Sequence, residues 1–93
     1  MTLKTKKFDV LDYLKTPAAI SAYLNDAIET GTDAEILLAL RTAAQARGMA
    51  KVAKAAGVGR ESLYKSLREG AKPQFTTVIK IAKAMGVTFR AAA

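Results

Sequence analysis

Apolar residues recur along this chain at helical rather than strand spacing. Ile20, Tyr23, Leu24, Ala27 and Ile28 follow one another at i, i+3, i+4, i+7 and i+8, the stripe of one inward helix face. Thr16-Pro17 marks the start of that helix, because a threonine hydroxyl accepts from an orphan amide and proline fits the first helical position; Gly31 ends it. Thr32-Asp33-Ala34-Glu35 has the form of a capping box and opens a second helix through Arg47, with Ile36, Leu37, Leu40, Ala43 and Ala44 inward and Gly48 as the stop. Two shorter helices are predicted at 49–56 and 60–69, the second closed by Gly70. A final helix runs over 75–85, with Phe75, Val78, Ile79, Ala82 and Met85 inward and Gly86 just past its end. Before them, Phe8, Leu11 and Leu14 (or Val10 and Leu14) predict a short helical piece, and the polar, basic stretch from Met1 to Lys7 is expected to fray. Val87-Thr88-Phe89 alternates weakly and allows one short C-terminal strand. The pattern predicts an all-α chain with at most that strand.

Residues 49–68 carry a more specific spacing. Val52 starts an apolar pattern, Ala53 lies four residues before Gly57, Val58 follows that glycine and Leu63 comes six residues after it. Two helices crossing steeply over a three- to four-residue turn must approach closely, which requires a small inner residue such as Ala53. The turn favours a residue free to take positive φ, here Gly57, while Val58 and Leu63 fill the gap between the helices. That is the pattern of a helix-turn-helix. With Leu63 and Leu67 inward, a rotation of about 100° per residue places Glu61, Lys65 and Arg68 on the opposite side, Tyr64 on the flank and Arg60 at the leading end.

Charge sharpens the picture. Up to Gly48, six basic residues balance six acidic ones; from Met49 onward nine basic residues face two acidic ones, so 9 − 2 = +7 accounts for the whole formal net charge of +7. A one-sided basic half is the electrostatic footprint of a phosphate-binding surface. Its 93 residues make a single domain, and 51% hydrophobic content leaves no disorder signature. Cysteine and histidine are both absent, which removes disulfides, ordinary zinc sites and nucleophile–imidazole pairs and fits a reducing cytoplasm. No enzymatic constellation, metal site or cofactor motif is expected. The longest apolar run, Ile36 to Leu40, is too short to span a bilayer, and the N-terminus does not read as a signal peptide, so a cytoplasmic protein is expected.

From Arg47-Gly48-Met49 through Gly86, the chain resembles the lambda-repressor-like (XRE) helix-turn-helix family. Phe-Asp-x-x-x-Tyr-Leu at 8–14, Ile-x-x-Tyr-Leu at 20–24, Gly-Met at 48–49, Gly-x-x-Arg-Glu-x-Leu-Tyr-Lys-x-Leu at 57–67 and Pro-x-Phe-x-Thr-Val-x-Lys at 73–80 narrow the match. Together they resemble the HigA-like addiction-module antidotes, encoded beside a RelE-type toxin, over about residues 8–89. The resemblance implies a helix-turn-helix core at 32–86, an N-terminal helical extension at 8–31 and a tail or strand at 87–93. It further implies an antitoxin that represses its own operon and neutralises a RelE-like toxin; the alternative is a stand-alone phage-type repressor. Two serines common in the family are replaced by Ala50 and Gly59, both expected at helix caps. Losing the cap bond to alanine costs on the order of 1 kcal/mol, and to glycine about a few tenths. No phosphate role is carried onto Ala50.

A reading helix lies in the major groove with its N-terminal residues against base edges. Arg60 and Lys65 can donate to guanine, and Glu61 can accept from cytosine, or else it simply favours the helix start. Tyr64 contacts a sugar or thymine methyl, or leans on the core. Lys51, Arg68, Lys72, Gln74, Thr76 and Thr77 are candidate phosphate contacts, with ordinary helix capping the alternative for the threonines. Lys80 and Lys83 read as solvated surface. One reading helix spans few base pairs, so a homodimer on palindromic operator DNA is expected, with half-sites about 10 bp apart or a multiple of that. Its pairing surface is the N-terminal helices or the C-terminal side, where a strand could pair across a two-fold axis. Asp9, Asp12, Asp26, Glu29, Asp33 and Glu35 in the balanced half could meet a basic toxin, unless those helices only widen a small core.

Overall fold

Local start and stop signals shape each helix of the computed structural model, which describes residues 10–87. Among the described residues there are six helices and no strand: α1 (Val10–Tyr13), α2 (Pro17–Thr30), α3 (Asp33–Arg47), α4 (Met49–Ala56), α5 (Arg60–Leu67) and α6 (Phe75–Ala84). Thr16 caps α2 by accepting from the Ala19 amide at 3.1 Å, with Pro17 in the first turn. The capping box before α3 forms in full. Thr32 Oγ1 accepts from the Glu35 amide at 3.2 Å, and Glu35 Oε1 accepts from the Thr32 amide at 2.8 Å. The expected order around the N-terminal half is therefore present. The expectations for residues 1–9, and residues 88 and 89 of the C-terminal strand expectation, lie outside the described residues.

The third helix is the hub, packing against α1, α2, α4 and α5, while α6 packs on α4. One continuous core joins Leu14, Ile20 and Leu24 to Leu40, Val52, Leu63, Leu67, Ile81 and Met85. Buried polar side chains are absent among the described residues. The N-terminal helices thus share the core with the basic half.

The α4–α5 turn is built as its sequence requires. Gly57 takes φ 74°, its amide bonds Lys54 O at 3.2 Å, and the Val58 amide reaches back to Ala53 O at 3.0 Å. This paired closure is a Schellman motif, in which a left-handed residue satisfies two orphan carbonyls and the next apolar residue packs inward. Val58 does pack against the core. The same motif closes α6, through Gly86 at φ 80° and the Val87 amide bonded to Ala82 O at 3.0 Å. Val87 is accordingly a buried helix-closing residue and not in a strand.

Several positions depart from the expected pattern. Phe75, expected inward, is 76% exposed, and Ile81, absent from the expected face, is fully buried. Val78, Ile81, Ala82 and Met85 fall within an arc of about 100°, whereas Phe75 sits at its edge in the first turn and Ile79 beyond it. Ile28 is exposed for the same reason, at the stripe's edge in the last turns of α2. In α3, Ala39 joins the core and Ile36 is only half-buried. The cap positions shift too: α4 begins at Met49 with Gly48 before it, so Ala50 is the second helical residue and caps nothing, while Gly59 does precede α5. Finally, α5 ends at Leu67, leaving Arg68 and Glu69 in the turn.

Replacing glycine at these two turns should separate strain from crowding. At Gly57 a new Cβ meets nothing within 4 Å, so Gly57→Ala carries only the left-handed backbone cost, about 1–2 kcal/mol. At Gly86 the same Cβ would lie 3.2 Å from Pro17 Cβ, adding a contact between the end of α6 and the start of α2. Denaturant titration should show Gly86→Ala to be the more destabilising; equal losses would mean that Pro17 gives way freely.

Candidate nucleic-acid interface

The outer face of α5 is fixed by what its inner face buries. Leu63 and Leu67 are fully enclosed, which leaves Arg60, Glu61, Tyr64 and Lys65 exposed. The Arg60 guanidinium carbon lies 5.7 Å from the centre of the Tyr64 ring, one helical turn on. A cation over an aromatic face is attracted by the ring quadrupole, so Tyr64 holds Arg60 along the leading edge of the helix. Tyr64 is 45% exposed and therefore does not lie against the core. Glu61 sits in the first turn of α5, where a negative charge is favourable, and it also projects outward.

A shallow groove beside α5 gathers a second group. Lys65 and Ser66 of α5, Lys72 and Pro73 of the following loop, and Gln74 and Thr77 at the start of α6 line it together. Lys51 in the first turn of α4, Arg68 in the turn after α5, and Thr76 are exposed outside this groove. Gln74 occupies the cap position of α6 without a side-chain bond to the helix, and neither Thr76 nor Thr77 supplies one. The three helices of the basic half, α4, α5 and α6, all begin without a side-chain cap, whereas α2 and α3 are both capped by threonine. Orphan amides at helix starts are donors suited to anions.

None of Lys51, Arg60, Lys65, Arg68 and Lys72 takes part in an ion pair among the described residues. The ion pair that does form is an exposed one of 3.7 Å between Lys15 and Asp12. Among the described residues, the basic face is thus free of ion pairs. Glu61 and Glu69 are the acids that share the basic half.

Residues 4–93 match the family described as probable addiction module antidote protein. The chain belongs to this family. A Haemophilus influenzae relative, described as an uncharacterized protein, is 40% identical over 90 residues, spanning 97% of this chain and 93% of its own length. No solved structure matches the chain. Membership in the antidote family implies a role on the antitoxin side of an addiction module, and with it a toxin partner of some kind. No helix among the described residues is long and apolar enough to cross a membrane.

One long-range contact reaches α5 from the hub helix. Arg41 Nη1 in α3 donates to the Leu67 carbonyl at 2.8 Å, joining the hub helix to the end of α5. A signal existed in the chain: Arg41 follows Leu37 by four and precedes Ala44 by three, so it falls on the inward stripe. A larger groove of about 670 Å³ lies between the start of α3, the 70–73 loop and Val78, lined mainly by apolar side chains such as Ile36, Leu37 and Leu40.

Exposure without partners gives a clear expectation for stability. Lys65→Ala and Lys72→Ala should each change unfolding free energy by less than about 0.5 kcal/mol. Leu63→Ala, at the enclosed side of the same helix, should cost about 2–5 kcal/mol. Thermal unfolding of the three variants tests this; a large loss at either lysine would assign it a structural role instead.

Proposed function

We propose that this chain is a sequence-specific DNA-binding antitoxin of a type II toxin–antitoxin module. It represses its own operon through the helix-turn-helix formed by α4 and α5, and it neutralises a co-encoded RelE-like toxin by direct binding. The observation that carries the DNA half is the division of α5, with Leu63 and Leu67 enclosed and Arg60, Glu61, Tyr64 and Lys65 outward without ion pairs. In the major groove, Arg60 and Lys65 read guanine edges, Glu61 accepts from cytosine N4, and Tyr64 contacts a sugar or thymine methyl while steadying Arg60. Glu61 matters here, because a surface selected only for phosphate gains nothing from an outward carboxylate. Lys51, Arg68, Lys72, Gln74, Thr76 and Thr77 hold the backbone, with the uncapped starts of α4 and α6 donating amides to phosphate. A homodimer on a palindromic operator supplies the second reading helix.

The toxin half rests on the antidote family and on the balanced N-terminal half. Its outward acids include Asp26, Glu29 and Asp33, and in the same half Tyr13, Ile28 and Leu38 are 50%, 44% and 47% exposed. Exposed acidic and apolar side chains suit a basic protein partner. Removing α1 and α2 is not a clean test, because Leu14, Ile20 and Leu24 belong to the common core. Charge reversal by Asp26→Lys with Glu29→Lys leaves that core intact and should weaken toxin capture while sparing DNA binding.

A gel shift on the duplex upstream of its own gene, with and without the neighbouring gene product, tests the whole proposal. Arg60→Ala should weaken operator binding by about 1–3 kcal/mol and relax preference at one base pair. Lys72→Ala should weaken all duplexes alike and lower the salt slope by about one unit. Equal loss on operator and random DNA for Arg60→Ala would remove it from base reading, and absence of any operator preference would refute the DNA role.

A further inference from the structure

Of the five helices with eight or more residues among the described residues, α5 has the weakest local support. The second and third helices carry side-chain N-caps and backbone closures at their C-termini, and α4 and α6 have backbone closures. By contrast, α5 begins at Gly59 without a cap bond and ends at Arg68 in extended conformation without a closing amide. An eight-residue helix is too short to persist by itself, so its ends must be fixed from elsewhere. At the C-terminal end, the Arg41 guanidinium supplies that contact. It donates to the carbonyl of Leu67, the last residue of α5, from a half-buried position on α3.

We propose that Arg41 is a positioning residue for DNA recognition: its bond to the Leu67 carbonyl sets the angle at which α5 presents Arg60, Glu61, Tyr64 and Lys65. The inference builds on the DNA-reading role proposed above and adds a determinant that touches no base. Two forces act together in this contact. A charged donor makes a stronger hydrogen bond than a neutral one, and a cation at a helix C-terminus meets the negative end of the helix dipole. Leu63 and Leu67 fix which side of α5 faces the core, and Arg41 prevents the helix from sliding or swinging about those two anchors. A base edge is read by directional hydrogen bonds, so a small swing of α5 would forfeit specific contacts before phosphate contacts. The tether also runs from the balanced half to the basic half, so whatever displaces α3 acts on the reading surface through it.

The test uses Arg41→Met, which keeps an extended apolar stem without charge or donors, and Arg41→Lys, which keeps charge and a donor. Amide hydrogen exchange in the DNA-free proteins is read along α5 and compared with α2 and α3. Arg41→Met should speed exchange selectively across residues 62–68 and lower affinity for the duplex upstream of the gene by about tenfold. Random-duplex affinity should stay within about twofold, because the phosphate contacts remain. Arg41→Lys should recover part of both effects. Unchanged exchange in α5, or a uniform rise in all helices, would overturn the tether. Equal loss on both duplexes with selective loosening of α5 would overturn its role in specificity. A wild-type chain without operator preference would refute the DNA-reading role and the specificity claim with it, while exchange still decides the tether.

Discussion

Burial of Leu63 and Leu67 is the constraint on which the functional surface depends. An isolated helix of eight residues is unstable in water, and α5 has no cap of its own at either end. It exists because two leucines on one side enter the common core and one arginine from α3 holds its last carbonyl. Those contacts determine the opposite face by simple helical rotation. Charge density alone would place positive residues anywhere on the basic half; the two leucines decide which of them project together.

The division between the two halves is also a division of helix ends. In the balanced half, threonine side chains satisfy the first amides of α2 and α3, so those helices are locally complete. In the basic half, α4, α5 and α6 begin at Gly48, Gly59 and Gln74 with no such bond. Leaving an amide without a side-chain acceptor gives up local stability, about a few tenths of a kcal/mol where glycine holds the cap position, and leaves a donor for an incoming anion. The proposed phosphate contacts thus draw on backbone as well as on Lys51 and Lys72. Stability is supplied mostly by the shared core, to which the N-terminal helices contribute Leu14, Ile20 and Leu24.

Most of the fold was legible in the sequence because its signals are local. Thr16-Pro17, the capping box at Thr32 and the positive-φ turn at Gly57 depend on neighbours within a few residues, and each forms as expected. Phe75 leaves the expected face because periodicity gives a stripe but not the point where a helix departs from the core, whereas Ile81 falls on the same arc as Val78, Ala82 and Met85 and belongs to the stripe. Val87 closes α6 rather than starting a strand because a helix-ending glycine recruits the next apolar residue, a signal that alternation alone misses. The outward set on α5 followed from helical rotation once Leu63 was placed inward, and the clustering of Lys65, Lys72, Gln74 and Thr77 required the loop path. Arg41 is marked by its place on the inward stripe of α3, but local spacing does not name its partner, a backbone carbonyl far along the chain.

Amide chemical-shift mapping during titration with the operator duplex shows whether the outer face of α5 meets DNA. Perturbations should concentrate on residues 60–68, on the groove beside α5 and on the first turns of α4 and α6, while the outer face of α2 stays silent. Shifts confined to α2 and α3, with α5 unmoved at saturation, would contradict DNA reading by α5.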